Sequence, residues 1–120
     1  MSKKEEHMKD CIFCKIVEGI IPSTKYYEDE HCYAFSDANP MAPIHILIVP
    51  KKHVASLADL EQIDDAALAA CLRAAEKIAQ KLGVKDGYRL ASNCGKNAHQ
   101  SVQHLHFHLL AGEKLSPKMG

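Results

Sequence analysis

Gln103-His104-Leu105-His106-Phe107-His108-Leu109-Leu110 constrains this chain more than any other stretch. Three histidines alternate with large apolar residues, and on a β-strand successive side chains point to opposite faces. His104, His106 and His108 are therefore expected on one face and Leu105, Phe107 and Leu109 on the other, so that one face packs and the other does chemistry. One histidine in such a place reads as part of a solvated edge. Three at period two form a row of groups that titrate near neutral pH and serve as nucleophile, acid, base or metal ligand, and such a row points to a site.

With 120 residues the chain has room for one domain, expected over residues 11–120, behind a polar, mixed-charge and flexible segment at residues 1–10. Lys+Arg and Asp+Glu are both 15, which argues against an extended nucleic-acid surface and leaves room for a single phosphate site. Residues 1–10 do not read as a signal peptide, and no apolar run is long enough to span a bilayer, so no membrane partner is expected. Five cysteines without a secretory signal suit a reducing compartment, and a cytoplasmic location is the expectation.

Along the chain, Cys11 to Val17 reads as a short helix stopped by Gly19 and Pro22. Lys25–Glu28 and His31–Phe35 read as a hairpin turning at Glu28-Asp29-Glu30. After a proline-marked loop, His45–Pro50 is continuously apolar and β-branched, as expected of a central strand covered on both faces. Asp64 to Leu82 carries Leu68, Cys71, Leu72, Ala75, Ile78, Ala79 and Leu82 at spacings of three and four, with Asp64 as cap and Gly83 as stop. Cys71 belongs to that helix core. Tyr88–Ser92, the polar turn Asn93–His99 and the histidine row complete a second hairpin. The expected fold class is α+β, with a mostly antiparallel sheet, one long helix and a short N-terminal helix.

His45 and His53 bracket the central strand, and Cys11 and Cys14 form a C-x-x-C pair. Alone, that pair reads as redox, metal-binding or accidental, with use and accident evenly balanced. It gains force if two histidines meet it in space, because zinc favours four tetrahedral nitrogen and sulfur ligands.

His104-Leu105-His106-Phe107-His108-Leu109-Leu110 fits the pattern His-φ-His-φ-His-φφ and resembles the histidine triad family of nucleotide hydrolases and transferases. Cys11–Ile16, Ala34–Asp37, Ala42–His53 and Gly87–Arg89 are similar, in that order, to its Hint branch. The resemblance implies a fold that dimerises into a larger sheet. It also implies a purine nucleoside monophosphate site and hydrolysis of adenosine 5′-phosphoramidates to AMP and an amine. It places the nucleophile at His106, a phosphate-binding role at His108, and a hydrogen bond from His45 that orients His106. Gln100, Ser101 and Asn93 match positions around the phosphate or leaving group, with Ser101 counted among the catalytic set. Ile12, Phe13, Ile16, Phe35 and Asp37 match the nucleoside pocket, where apolar groups sandwich a base and a carboxylate accepts the ribose hydroxyls. Cys11, Cys14, His53 and His104 match a structural zinc site, closed by four protein ligands, and no organic cofactor is implied.

The chain departs from the family pattern in two places. His99 stands where many relatives have glycine before Gln-Ser-Val, and the C-terminal tail has no tryptophan. Other readings of the same row are dinucleoside polyphosphate hydrolysis, nucleotidyl transfer, and a nucleotide-binding interaction protein with incidental hydrolysis.

Overall fold

The computed structural model describes residues 10–118. Apart from Asp10, the segment expected to be flexible lies outside the described residues, as do the last two positions of the expected 11–120 unit. Cys11 starts the first helix, α1 (Ile12–Val17), by accepting the Cys14 N–H on its sulfur at 3.3 Å. The helix ends at a positive-φ glycine, Gly19. Strands β1 (Lys25–Glu28) and β2 (Cys32–Ser36) form the expected hairpin. The Asp29 carboxylate closes its turn by accepting the N–H groups of His31 and Cys32, both at 2.8 Å.

Strand β3 (Ile44–Pro50) is central, as its unbroken apolar run requires. The chain then passes through a 3-10 segment (Leu57–Gln62) into helix α2 (Asp65–Lys81). The Asp64 carboxylate caps α2 by accepting the Ala67 N–H at 2.8 Å. At its other end Gly83 adopts φ 74°, and the Gly83 and Val84 N–H groups bond back to the carbonyls of Gln80 and Ala79. Strands β4 (Tyr88–Ala91) and β5 (Phe107–Ala111) complete an antiparallel sheet of order β1-β2-β3-β5-β4, in which β5 inserts between β3 and β4.

The sheet is covered on both faces. Ile46 and Ile48, together with Cys32, Ala34, Leu105, Phe107 and Leu109, pack against Cys71, Ala74, Ala75 and Ile78 of α2. Leu47, Val49 and Phe35 point the other way and meet Phe13 and Cys14 of α1. Leu72, expected in the α2 stripe, is instead half exposed, because the buried stripe is narrower than the run of apolar residues. Among the described residues no helix is long and apolar enough to cross a membrane.

The histidine row is only partly ladder. β5 begins at Phe107, because the backbone of residues 104–106 is bonded elsewhere. The Leu105 N–H donates to the Val54 carbonyl at 2.6 Å, and the His106 carbonyl accepts the Ser92 hydroxyl at 2.7 Å. The alternation of faces survives, since Leu105, Phe107 and Leu109 all enter the α2-side core.

Candidate active site and metal cluster

On the α1 side of the sheet lies a cleft of about 480 Å³, within the size range of small-ligand pockets. Its walls include Ile12, Phe13 and Ile16 from α1, Phe35 from β2, Asp37 from the following loop, Ser101, and His106 and His108. Phe13 anchors the wall by meeting Phe35 edge-on at 5.4 Å and His106 edge-on at 5.1 Å between ring centroids. Ser23, Thr24, Asn39 and Val102 also line the cleft, and the sequence assigned none of them to a site.

His106 and His108 in the cleft and the buried His45 beside them are each held so that the ring's proton is assigned by its partner. His106 Nδ1 lies 2.7 Å from the His104 carbonyl, which can only accept, so Nδ1 carries the hydrogen and Nε2 keeps the lone pair. His45 is the reverse case. Its Nδ1 accepts the Met41 N–H at 3.0 Å, which puts the hydrogen of the neutral ring on Nε2. His45 Nε2–H then donates to His108 Nδ1 at 2.9 Å, leaving His108 with its hydrogen on Nε2.

This corrects the expected bond from His45 to His106. His45 bonds His108, its near neighbour across the ladder where Leu47 pairs with His108. His106 is oriented by the chain itself, two residues back.

Behind the cleft, Cys11, Cys14, His53 and His104 bring one donor atom each to within 4.8 Å of one another, an arrangement that could hold a metal ion. Cys11 Sγ and Cys14 Sγ lie 3.3 and 3.5 Å from His104 Nδ1, Cys14 Sγ lies 3.3 Å from His53 Nδ1, and the two Nδ1 atoms are 3.2 Å apart. Tetrahedral zinc with Zn–S near 2.3 Å and Zn–N near 2.0–2.1 Å has ligand edges of roughly 3.3–3.8 Å, so the four donors fit such an ion. His104 Nε2 donates to the Pro50 carbonyl at 2.8 Å, which turns the Nδ1 lone pair toward the sulfurs as metal-ligating imidazoles require.

A model of the HIT domain matches residues 18–115. The chain belongs to the histidine triad (HIT) family. An uncharacterized HIT-like protein of Buchnera aphidicola subsp. Baizongia pistaciae is 47% identical over 106 residues, 88% of this chain and 95% of that protein. The structure of a HIT family hydrolase from Legionella pneumophila Philadelphia 1 matches at TM-score 0.88 and 44% identity, over 92% of this chain and 100% of that one. A histidine triad nucleotide-binding protein from Candida albicans matches at TM-score 0.78 and 35% identity, over 92% of this chain and 87% of that one.

Within this HIT cleft the imidazoles are tuned toward neutrality. Burial lowers the pKa of His106, opposed by its bond to the His104 carbonyl and by the charge of Asp37. Burial, with His106 and His45 as neighbours, brings His108 down to about 4. Burial also lowers His45, against the pull of Asp37. In the metal cluster burial and the adjacent Cys11 push the Cys14 thiol up to about 12, a direction that a bound cation reverses.

Two expected phosphate-side residues are not walls of the cleft. Gln100 is buried, with its Nε2 donating to the Ala55 and Val102 carbonyls at 2.7 and 2.9 Å and its Oε1 accepting the Gly95 N–H at 2.9 Å. Its side chain therefore holds the loop that presents Ser101. Asn93 likewise does not line the cleft. His99 is exposed and adopts φ 61°, ψ 38°, a left-handed conformation that explains why glycine suits this position.

Proposed function

We propose that this HIT protein is a Hint-type hydrolase of purine nucleoside 5′-phosphoramidates, acting through a nucleotidyl-His106 intermediate. The observation that carries the reading is the His106 ring, pinned through Nδ1–H to the His104 carbonyl, with its Nε2 lone pair left for a cleft of nucleotide size. A base fits between Ile12, Phe13, Ile16 and Phe35, and the ribose hydroxyls donate to Asp37.

His106 Nε2 attacks the α-phosphorus. A P–N bond to His106 forms, the P–N bond to the amine breaks, and the departing amine takes a proton from the His108 side of the cleft. Water then attacks the same phosphorus, returns to the His108 side of the cleft the proton that the amine took, displaces His106 and releases AMP, so that one difficult displacement becomes two easier ones. The depressed pKa of His106 keeps its lone pair available at neutral pH. His108, with its Nδ1 occupied by the His45 Nε2–H, presents its own hydrogen on Nε2 to the phosphate and the leaving amine. Ser101 lines the same cleft and offers its hydroxyl to the phosphate or leaving group.

Zinc is the ion that suits Cys11, Cys14, His53 and His104. Four protein ligands leave no open position, so when bound it supplies structure and no Lewis-acid step, tying α1 to the start of the histidine row. We assign the chain to a cytoplasmic homodimer whose sheets join. The reaction is tested by comparing turnover of adenosine 5′-phosphoramidate with that of diadenosine polyphosphate. Preferential release of the amine from the phosphoramidate is expected. Preferential polyphosphate cleavage would overturn the reading in favour of the other branches, and nucleotide binding without turnover would leave an interaction protein.

A further inference from the structure

Asp37 touches both halves of the cleft. It lines the cavity beside His106 and His108, and its side chain is 19% exposed. Its Oδ1 accepts the Asn39 N–H at 2.8 Å, and its own N–H donates to the His45 carbonyl at 2.9 Å, which anchors the carboxylate at the entrance to β3. Its Oδ2 lies 3.4 Å from His45 Nε2.

His45 is closed off from any ligand, with a side chain only 2% exposed. Its ring has one hydrogen to give, because Met41 N–H occupies Nδ1. That hydrogen has two acceptors within reach, His108 Nδ1 at 2.9 Å and Asp37 Oδ2 at 3.4 Å. We propose that Asp37 passes the occupancy of the ribose position to His108 through the buried ring of His45, so that this chain senses the sugar at the chemical step as well as in binding. The inference rests on the nucleotide reading of the cleft.

One hydrogen is shared between two acceptors. Without a diol, the Asp37 carboxylate competes for His45 Nε2–H, and His108 Nδ1 is held only part of the time. Two ribose hydroxyls donating to the carboxylate weaken its pull on His45. His45 Nε2–H then goes to His108 Nδ1, which keeps the His108 hydrogen on Nε2, the atom offered to the phosphate and the leaving amine. No bond is made or broken in this transfer of information; only the sharing of one N–H changes. His45 is accordingly a positioning residue, and Asp37 is the group that meets substrate.

Two measurements test this on the intact protein. In the first, imidazole 15N NMR follows His108 while the protein is saturated with AMP or with 2′,3′-dideoxyadenosine 5′-monophosphate. AMP is expected to move His108 further toward the Nε2–H tautomer than the dideoxy nucleotide. In the second, adenosine 5′-phosphoramidate and its 2′,3′-dideoxy analogue are compared at saturation. A kcat lower by about tenfold is expected for the analogue in the wild type, narrowing to within about twofold in His45→Gln. Equal His108 signals with the two bound nucleotides, or equal kcat with the two substrates, would overturn the inference. If His45→Gln does not fold, the wild-type NMR comparison and wild-type kcat ratio decide. Absence of phosphoramidate turnover with the NMR difference intact would overturn the proposed reaction alone, and failure of both nucleotides to bind would overturn both.

Discussion

Two clusters, each built around a pair of histidines, lie in this protein, and they are built for opposite purposes. Cys11, Cys14, His53 and His104 gather four donor atoms, and Asp37, His45 and His108 gather three, each set within 4.8 Å. Proximity of donor atoms does not distinguish them. The far ring nitrogen does. His104 gives its Nε2 hydrogen to a carbonyl, so its other nitrogen faces the thiols with a lone pair. His45 receives a backbone N–H on Nδ1, so its other nitrogen faces the cluster with a hydrogen. A carbonyl behind an imidazole makes a ligand, and an N–H behind it makes a proton donor. His106, with a carbonyl on Nδ1, resembles His104 in this respect, but its lone pair faces a cleft and not a pair of sulfurs.

The largest effect is expected at His106. His106→Ala should lower turnover by about 10⁴-fold or more and abolish the covalent adduct seen by mass spectrometry, with nucleotide affinity largely kept. Residual activity near wild type would mean that another ring is the nucleophile.

Cys11→Ser probes the other cluster with little disturbance of the helix, since serine still caps α1. Metal content by elemental analysis should fall and Tm should fall with it, because the binding free energy of a structural metal is folding free energy. A variant that loses turnover at low temperature while keeping its metal and its Tm would place Cys11 in the cleft chemistry instead.

Acid should separate the clusters more gently. His108 has a folded pKa of about 4 against an ordinary value of 6.5, so between these the unfolded chain binds more protons. The stability that His108 confers is complete above about pH 6.5 and is lost as pH falls toward 4. Denaturant midpoints across that window should fall in the wild type and fall less in His108→Gln, the remaining slope belonging to the other buried rings and the metal ligands.

The smallest effect is expected at His99. Its left-handed backbone costs about 1–2 kcal/mol in an L-residue, and glycine gives part of that back as unfolded-chain entropy. His99→Gly should therefore raise Tm by a few degrees in a thermal melt.

Much of this was legible in the chain. The unbroken Ile46-Leu47-Ile48-Val49 run placed β3 in the centre, and Asp64 and Gly83 marked the ends of α2, because capping and burial are local properties of sequence. The cleft walls at Ile12, Phe13, Ile16, Phe35 and Asp37 came from resemblance, since each alone reads as core. Ser23, Thr24 and Asn39 are not legible as cleft walls, because a residue in a loop carries no sign of what the loop faces. Gln100 carried a polar side chain beside a phosphate-site serine, and nothing in its spacing revealed that three backbone groups already occupy it.

By itself the sequence determined that three histidines would alternate with core residues, because the two-residue period of an extended chain depends only on local geometry. It determined also that a cysteine pair and two further histidines were available. Which nitrogen of each ring holds a hydrogen was decided only by the tertiary structure. That choice depends on the Pro50 carbonyl, brought to His104 from the end of β3, and on the backbone path that turns the nearby His104 carbonyl to His106 and the Met41 N–H to His45, a path that no spacing encodes. The row is one period in sequence and three different chemical environments in space, since hydrogen-bond partners are set by what the fold delivers to each ring.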